Sequence, residues 1–176
     1  MAVRLAAIGM GLAAMTTMAA ASDVLNRCFE DAGQRYQISP ILLWSIAKTE
    51  SGFYAGAINR ANDNGSYDIG LMQINSSWLP TLRRYGVAER QLMDPCVSIH
   101  VGAWILAQNI AKHGYTWKAV GAYNARSSDK QLRYATKVLK TAYRVAGGAE
   151  PPVIVHSTGR QPDAVVPRAV QVRVHG

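Results

Sequence analysis

The sequence predicts a mainly α protein of the α+β kind, in which a helical domain carries a small β-hairpin that flanks a cleft. Apolar residues recur at helical spacing through most of the chain, and these segments begin at Ser, Thr or Asp residues suited to capping helices. Between Phe53 and Gly70 the composition changes to Gly, Asn, Asp and Ser, and Asn64-Gly65 is a signal for a two-residue hairpin turn. We therefore expect Asp68 on the second strand of that hairpin.

The helices are predicted from their caps and their apolar spacing. Ser39 is placed to cap a helix that starts at Pro40, where the missing N–H costs nothing, and Gly52 ends it. Asp94 and Pro95 repeat this start, and the apolar residues after them leave almost no polar face, which predicts a buried central helix. The expected bounds are 22–37, 40–51, 75 or 76 to 85, 95–113, a short helix after Thr116, and 129–145.

The ends of the chain differ in composition from its middle. Arg4 precedes an apolar run that closes with small residues at Ala21, which predicts a secretory signal peptide over residues 1–21. A membrane-spanning helix needs about 20 apolar residues, and Thr16 and Thr17 interrupt this run. We expect no stable membrane span after cleavage, with an uncleaved anchor as the alternative. Residues 22–146 form the predicted domain, and the Pro-interrupted residues 147–176 form a predicted flexible C-terminal tail.

The charge balance is basic. The formal net charge of +8 falls to +7 without the signal peptide, because Arg4 is the only charged residue there. Arg83-Arg84 is the only adjacent basic pair, so we expect the charge to be spread out, without the stripe of a nucleic-acid groove. We therefore predict no nucleic-acid partner. A diffuse positive surface suits an acidic polymer such as the bacterial cell wall, with an ordinary soluble surface as the alternative.

The candidate disulfide and metal ligands are few. Cys28 and Cys96 are the only cysteines, and in an exported chain we expect them to form a disulfide. The histidines show no ligand spacing with each other or with the cysteines, so we predict neither a metal nor a cofactor. They are His100, His113, His156 and His175.

Two carboxyl groups are the candidates for catalysis. Glu50 lies near the end of the apolar segment 40–51, where partial burial disfavours the charged form and lets the side chain keep a proton at neutral pH. Asp68 follows in a polar stretch that water reaches. A shielded acid and a solvated carboxylate on facing walls of a cleft are what glycoside cleavage requires. Taken singly, Glu50 also fits an ordinary helix end and Asp68 an ordinary turn.

Three motifs surround these residues in order: 50–52 (ESG), 70–74 (GLMQI) and 122–125 (AYNA). In this order they resemble the soluble lytic transglycosylase domains, which cleave peptidoglycan and have a lysozyme-like fold. The resemblance is closest to the specialised group that accompanies type III and type IV secretion, conjugation and pilus machines. Cys28, residues 94–96 (DPC) and residues 101–106 (VGAWIL) extend it, so that it covers about residues 22–146. It implies a periplasmic enzyme with peptidoglycan glycan strands as substrate and channel components as partners.

The resemblance also implies a role for each matching residue. Glu50 would protonate the oxygen between N-acetylmuramic acid and N-acetylglucosamine. It would then take the proton of the muramoyl C6 hydroxyl, so that a 1,6-anhydro end forms. Tyr123 resembles the tyrosine that orients the glutamate, Gln73 a glutamine that faces the sugar, and Asn124 an asparagine that bonds an acetamido group. Asn75 joins them as a predicted substrate-binding residue. An ordinary core aromatic at Tyr123 and a loop-bracing amide at Gln73 are the alternatives.

Two residues depart from the family pattern. Arg126 stands where many members carry glycine, and Asp68 adds a carboxylate that most members lack. Residues 66–76 also resemble the active-site hairpin of c-type lysozymes. The leading hypothesis is a periplasmic lytic transglycosylase that opens the wall locally for a secretion, conjugation or pilus apparatus. The alternatives are a lysozyme-type muramidase that hydrolyses with the help of Asp68, and a non-catalytic wall-binding assembly factor that docks through its tail.

Overall fold

A computed structural model describes residues 9–147, with side chains from Ser22 onward. Residues 148–176 of the predicted tail and residues 1–8 of the predicted signal peptide lie outside the described residues. The first helix begins at Gly9 and not at Ser22. Residues 13–21 contain several alanines, which are strong helix formers. In the uncleaved chain the first helix therefore extends across the predicted cleavage site. Cleavage after Ala21 remains a prediction.

The described residues form six α-helices and three short strands, with two 3-10 helices at Ser76–Trp78 and Glu89–Met93. No described helix combines the length and the apolar character needed to cross a membrane. The elements in chain order are α1 Gly9–Tyr36, α2 Pro40–Glu50, β1 Ile58–Asn59, β2 Asp68–Ile69, β3 Ile74–Asn75, α3 Leu79–Arg84, α4 Pro95–His113, α5 Trp117–Asn124 and α6 Ser128–Val145.

Helix α4 lies at the centre of the helical packing, as predicted. It contacts α1 and α5, and α6 in turn packs against α5 and α2. Asp94 caps α4, because its Oδ1 accepts a hydrogen bond from the backbone N–H of Val97 at 2.9 Å. Apolar residues from Val97 to Leu106 are buried along the first half of the helix, and burying each large one contributes about 1.5–3 kcal/mol.

Helix α2 holds Glu50 at its C-terminal end. It starts at Pro40 as predicted, although Ser39 at the N-cap position makes no side-chain capping bond. Leu43 and Ile46 are fully buried, which fixes the helix in the core. Gly52 has a φ of +62°, a conformation that glycine adopts readily, and the chain turns there toward the sheet.

The predicted hairpin is present, and a third strand extends it. β1, β2 and β3 pair antiparallel in that order, with Asn59 opposite Asp68 and Asp68 opposite Asn75. Directly opposed side chains share one face of a sheet, so these three polar groups lie together. The prediction of a two-residue turn is wrong, because a longer loop, residues 60–67, connects β1 to β2. The helix expected from residue 75 or 76 is also preceded by the unpredicted strand β3.

The end of β2 and the loop after it are held against the 3-10 helix Glu89–Met93, α4 and α5. Gly70 has a φ of +77°, and a Cβ there would collide with the carbonyl oxygen of Leu92. The N–H of Met72 donates to the hydroxyl of the buried Ser98 at 3.0 Å. The carbonyl of Met72 accepts from the Tyr123 hydroxyl, also at 3.0 Å. The loop between β2 and β3 therefore has a fixed position relative to α4 and α5.

The predicted disulfide joins Cys28 of α1 to Cys96 of α4, with their Cα atoms 5.2 Å apart. Closing a loop with a sequence separation of 68 corresponds to about 4 kcal/mol on the chain-entropy relation. We expect Cys28→Ser/Cys96→Ser to lower the free energy of unfolding in urea by up to this amount. The wild type with reduced thiols should match the variant. Equal stability of the variant and the oxidised wild type would contradict the prediction.

Candidate active site

Glu50 faces α6 from the end of α2. The Tyr134 hydroxyl donates a hydrogen bond to Glu50 Oε1 at 2.6 Å, and Tyr134 itself is only 6% exposed. The next residue, Ser51, donates its hydroxyl to the carbonyl of Leu71 at 2.8 Å, which ties this end of α2 to the loop after β2. The carboxyl group is therefore held between α6 and the sheet.

The environment raises the pKa of Glu50 from 4.5 to about 7. Desolvation by burial is the largest cause, because it penalises the charged form, and the negative charge of Asp68 adds to it. The hydrogen bond from Tyr134 and the positive charge of Lys137 act in the opposite direction. A carboxyl group with this pKa has both its protonated and its ionised form available at neutral pH, as a group that first gives and then takes a proton requires.

Asp68 is held by three amide groups on the polar face of the sheet. Asn75 Nδ2 donates to its Oδ1 at 2.7 Å, and Asn62 Nδ2 donates to its Oδ2 at 3.0 Å. Asn59 Nδ2 adds a longer contact to Oδ2 at 3.4 Å. Both oxygens are thereby oriented before any substrate arrives. The charge of Asp68 acts on Glu50, so the two carboxyl groups belong to one site.

Tyr123 lies in the same site but does not contact Glu50 through its hydroxyl. Burial raises its pKa well above 10, and the charges of Glu50 and Asp68 raise it further. Its hydroxyl donates to the carbonyl of Met72, while its ring stacks on Tyr134 with centroids 6.5 Å apart and planes at 15°. The direct hydrogen bond to Glu50 comes from Tyr134. The role of Tyr123 in orienting Glu50 remains a prediction.

The other predicted substrate-binding residues differ in their surroundings. Gln73 Nε2 donates to the carbonyls of Gly70 and Ala57 at 2.9 and 3.3 Å, so its amide nitrogen braces the loop. Asn75 is engaged with Asp68 and also donates to Ser66 Oγ at 2.9 Å. Asn124 is exposed at the end of α5. Their binding roles remain predictions.

Tyr134 is a residue of this site that the sequence did not predict. It lies on the apolar face of α6 with Ala135 and Val138, so its position in the sequence is that of a core aromatic. A buried tyrosine hydroxyl usually needs a hydrogen-bond partner. This requirement indicates that the hydroxyl of Tyr134 has a partner, but it does not say which one. Only the packing of α6 on α2 identifies the partner as Glu50.

No group of three or more His, Cys, Asp or Glu residues in the described part of the chain is arranged to hold a metal ion. Of the four histidines, His100 contacts the ring of Tyr36 edge-on, with centroids 6.4 Å apart. His113 is the last residue of α4. His156 and His175 lie outside the described residues.

The positive charge is not spread evenly, which corrects the expectation from the sequence. Five cationic side chains recur at intervals of three and four along α6, so they lie on one face of the helix, and all of them are exposed. Asp129 is the single carboxylate of this helix. We refer to these five residues as the basic stripe: Lys130, Arg133, Lys137, Lys140 and Arg144.

A partly buried acid with a pKa of about 7, beside a second, oriented carboxylate, is the arrangement that glycoside cleavage requires. Residues 27–148 match the family model described as the transglycosylase SLT domain. The chain belongs to this family, and the resemblance found in its motifs is confirmed. It is a peptidoglycan lytic transglycosylase.

The chain is also similar to curated relatives and to a solved structure. The invasion protein IagB of Salmonella typhimurium is 43% identical over 125 residues, which cover 68% of this chain and 78% of IagB. Protein IpgF of Shigella flexneri is 43% identical over 124 residues, which cover 68% of this chain and 81% of IpgF. An inactive mutant of the lytic transglycosylase Slt from Pseudomonas aeruginosa superposes with a TM-score of 0.56 at 20% identity. The match covers 71% of this chain and 25% of Slt, and it establishes the fold.

The raised pKa of Glu50 predicts a pH-dependent stability difference between the wild type and Glu50→Gln, which stays neutral. A raised pKa in the folded state means that the contribution of Glu50 is fully present below pH 4.5 and is lost as the pH rises through about 7. The rise in the pKa of Glu50 from 4.5 to about 7 corresponds to a change of about 3 kcal/mol in the free energy of unfolding. Urea unfolding between pH 4 and 8 should show the wild type losing up to this amount relative to Glu50→Gln.

The matched control is Glu30→Gln, which removes an exposed carboxyl from α1. Parallel stability curves for the wild type and Glu50→Gln across this pH range would show that Glu50 is not desolvated in the folded protein.

Proposed function

We propose that this protein cleaves the β-1,4 bond between N-acetylmuramic acid and N-acetylglucosamine in peptidoglycan and leaves 1,6-anhydro ends. The observation that carries the proposal is the buried carboxyl of Glu50, whose pKa of about 7 allows it to act as an acid and then as a base. Membership of the transglycosylase SLT domain family supports the substrate.

In the first step, protonated Glu50 gives its proton to the bridging oxygen, and the bond from that oxygen to muramoyl C1 breaks. The leaving N-acetylglucosamine thereby regains its hydroxyl, and positive charge develops on the muramoyl ring. Glu50 is now ionised, and the Tyr134 hydroxyl at 2.6 Å from Oε1 stabilises this form. The oriented carboxylate of Asp68 opposes the positive charge through space.

In the second step, ionised Glu50 takes the proton of the muramoyl C6 hydroxyl. The C6 oxygen attacks C1, which closes the 1,6-anhydro ring and returns Glu50 to its protonated state. No water is consumed, and the enzyme is ready for the next bond. We assign substrate contacts to Gln73, Asn75, Tyr123 and Asn124, with Tyr123 acting on Glu50 through its stacked neighbour Tyr134.

We further propose that the enzyme works in the periplasm and opens the wall locally for a secretion, conjugation or pilus apparatus. The predicted signal peptide supports export, and the disulfide between Cys28 and Cys96 suits an oxidising compartment. The relative named invasion protein IagB and the motifs of the specialised group support the link to such an apparatus.

Product analysis tests the reaction. Purified peptidoglycan digested with the wild type should release anhydro-muropeptides, which mass spectrometry identifies. Loss of the acid and base should slow this release at least about a hundredfold in Glu50→Gln. Glu30→Gln is the matched control and should digest normally. Undiminished digestion by Glu50→Gln would refute the catalytic proposal and favour a wall-binding role.

The anchoring of Asp68 by three amides favours lysozyme-type hydrolysis as a second candidate function. If Asp68 supplies only electrostatic support, Asp68→Asn should slow anhydro-product formation about tenfold to a hundredfold without changing the products. The control is Asp63→Asn, which neutralises an exposed carboxylate of the loop that precedes β2. Plentiful reducing ends from the wild type, nearly abolished in Asp68→Asn, would instead identify a muramidase.

A further inference from the structure

The basic stripe of α6 runs outward from the catalytic acid. Tyr134, which bonds Glu50, precedes Lys137 by three residues, so the two side chains lie on neighbouring parts of the helix surface. The charge of Lys137 acts on Glu50, which places it at the edge of the site. From Lys130 to Arg144 the stripe extends about 21 Å along the helix. It is therefore a long cationic rim beside the cleft.

The position of the stripe disfavours a lipid surface as its ligand. A basic helix that binds a bilayer inserts its apolar face into it. The apolar face of α6 is instead buried in the protein, where Tyr134, Ala135, Val138 and Ala142 pack. The charged side adjoins, through Lys137, the site that binds the glycan strand in the proposed function.

A glycan strand carries its negative charge at regular intervals along its length. The sugars themselves are neutral, but each muramoyl residue bears a stem peptide through its lactyl group, and these peptides have free carboxylates. A strand bound at Glu50 passes Lys137, whose charge acts on Glu50, so its stem peptides come within reach of the basic stripe. Long Lys and Arg side chains are flexible, so they can bind such carboxylates even when the positions of the carboxylates along the helix vary.

We propose that the basic stripe binds the stem-peptide carboxylates of the glycan strand and makes the enzyme prefer peptide-bearing strands over bare ones. The inference rests on the proposed function and deepens it. Arg126, exposed just before α6, extends the same positive rim toward Asn124. Many members of the family carry an uncharged glycine at the position of Arg126, so the additional charge is a feature of this chain.

The test uses a variant that leaves the catalytic groups intact. Lys130→Gln/Arg133→Gln/Lys140→Gln/Arg144→Gln neutralises four members of the stripe and retains Lys137, whose charge acts on Glu50. Glutamine keeps a helix-compatible side chain at these exposed positions. A charge-matched control removes four exposed cations from other elements: Arg27→Gln/Arg84→Gln/Arg90→Gln/Lys112→Gln. Circular dichroism and thermal unfolding establish that both variants fold.

Two substrates from one preparation separate the contributions of peptide and glycan. The first is purified Gram-negative peptidoglycan with intact stem peptides, and the second is the same material stripped of its peptides by an amidase. Loss of four screened surface contacts should raise KM for the peptide-bearing substrate about tenfold in the stripe variant, with kcat unchanged. KM for the stripped glycan should stay the same, and so should both constants in the control variant. Added salt should weaken the wild-type preference.

Several outcomes would overturn the inference. An unchanged KM for peptide-bearing strands in the stripe variant would do so, as would an equal loss on both substrates or a similar loss in the control variant. Binding of the wild type, but not of the stripe variant, to vesicles with anionic lipid, together with unchanged cleavage, would identify a membrane surface instead. A different result would refute the proposed function itself: undiminished activity of Glu50→Gln on both substrates.

Discussion

The site depends on the burial of one carboxyl group at the end of a helix. Glu50 is partly withdrawn from water between α2, α6 and the sheet, so its charged form is disfavoured, while Tyr134 donates a hydrogen bond that favours the ionised form. These two effects oppose each other, and their balance leaves the pKa near neutrality. A site with either effect alone would hold the carboxyl too firmly in one state for a reaction that needs both.

The rest of the fold keeps this balance in place. The disulfide joins α1 to α4, and α4 carries Ser98, whose hydroxyl holds the backbone of Met72. The carbonyl of the same residue accepts a hydrogen bond from the hydroxyl of Tyr123, whose ring stacks on Tyr134. A connected set of contacts therefore runs from the core to the ring that orients Glu50. Gly70 permits the sheet to approach this closely, because any side chain there would meet the backbone of Leu92.

Helix α6 combines three tasks on different faces. Its apolar face closes the core, Tyr134 completes the acid site, and its cationic face borders the cleft. The five cations are spaced along the sequence, so a search for adjacent basic residues overlooks them. Their gathering follows from helical geometry, which brings residues three and four apart onto one side. The proposed contact with stem peptides would thus use a surface that the catalytic helix already presents.

The sequence by itself determined where most of the helices lie, the disulfide partners and the two carboxyl candidates. Capping residues and apolar spacing are local signals, the only two cysteines allow one intramolecular pairing, and Glu50 ends an apolar segment. The tertiary structure decided which side chains meet. The bond from Tyr134 to Glu50 joins residues 84 positions apart. The third strand and the amide cradle of Asp68 depend on chain reversals that bring together residues five to nine positions apart. Local patterns carry no record of such contacts, because they arise only when separate elements pack together.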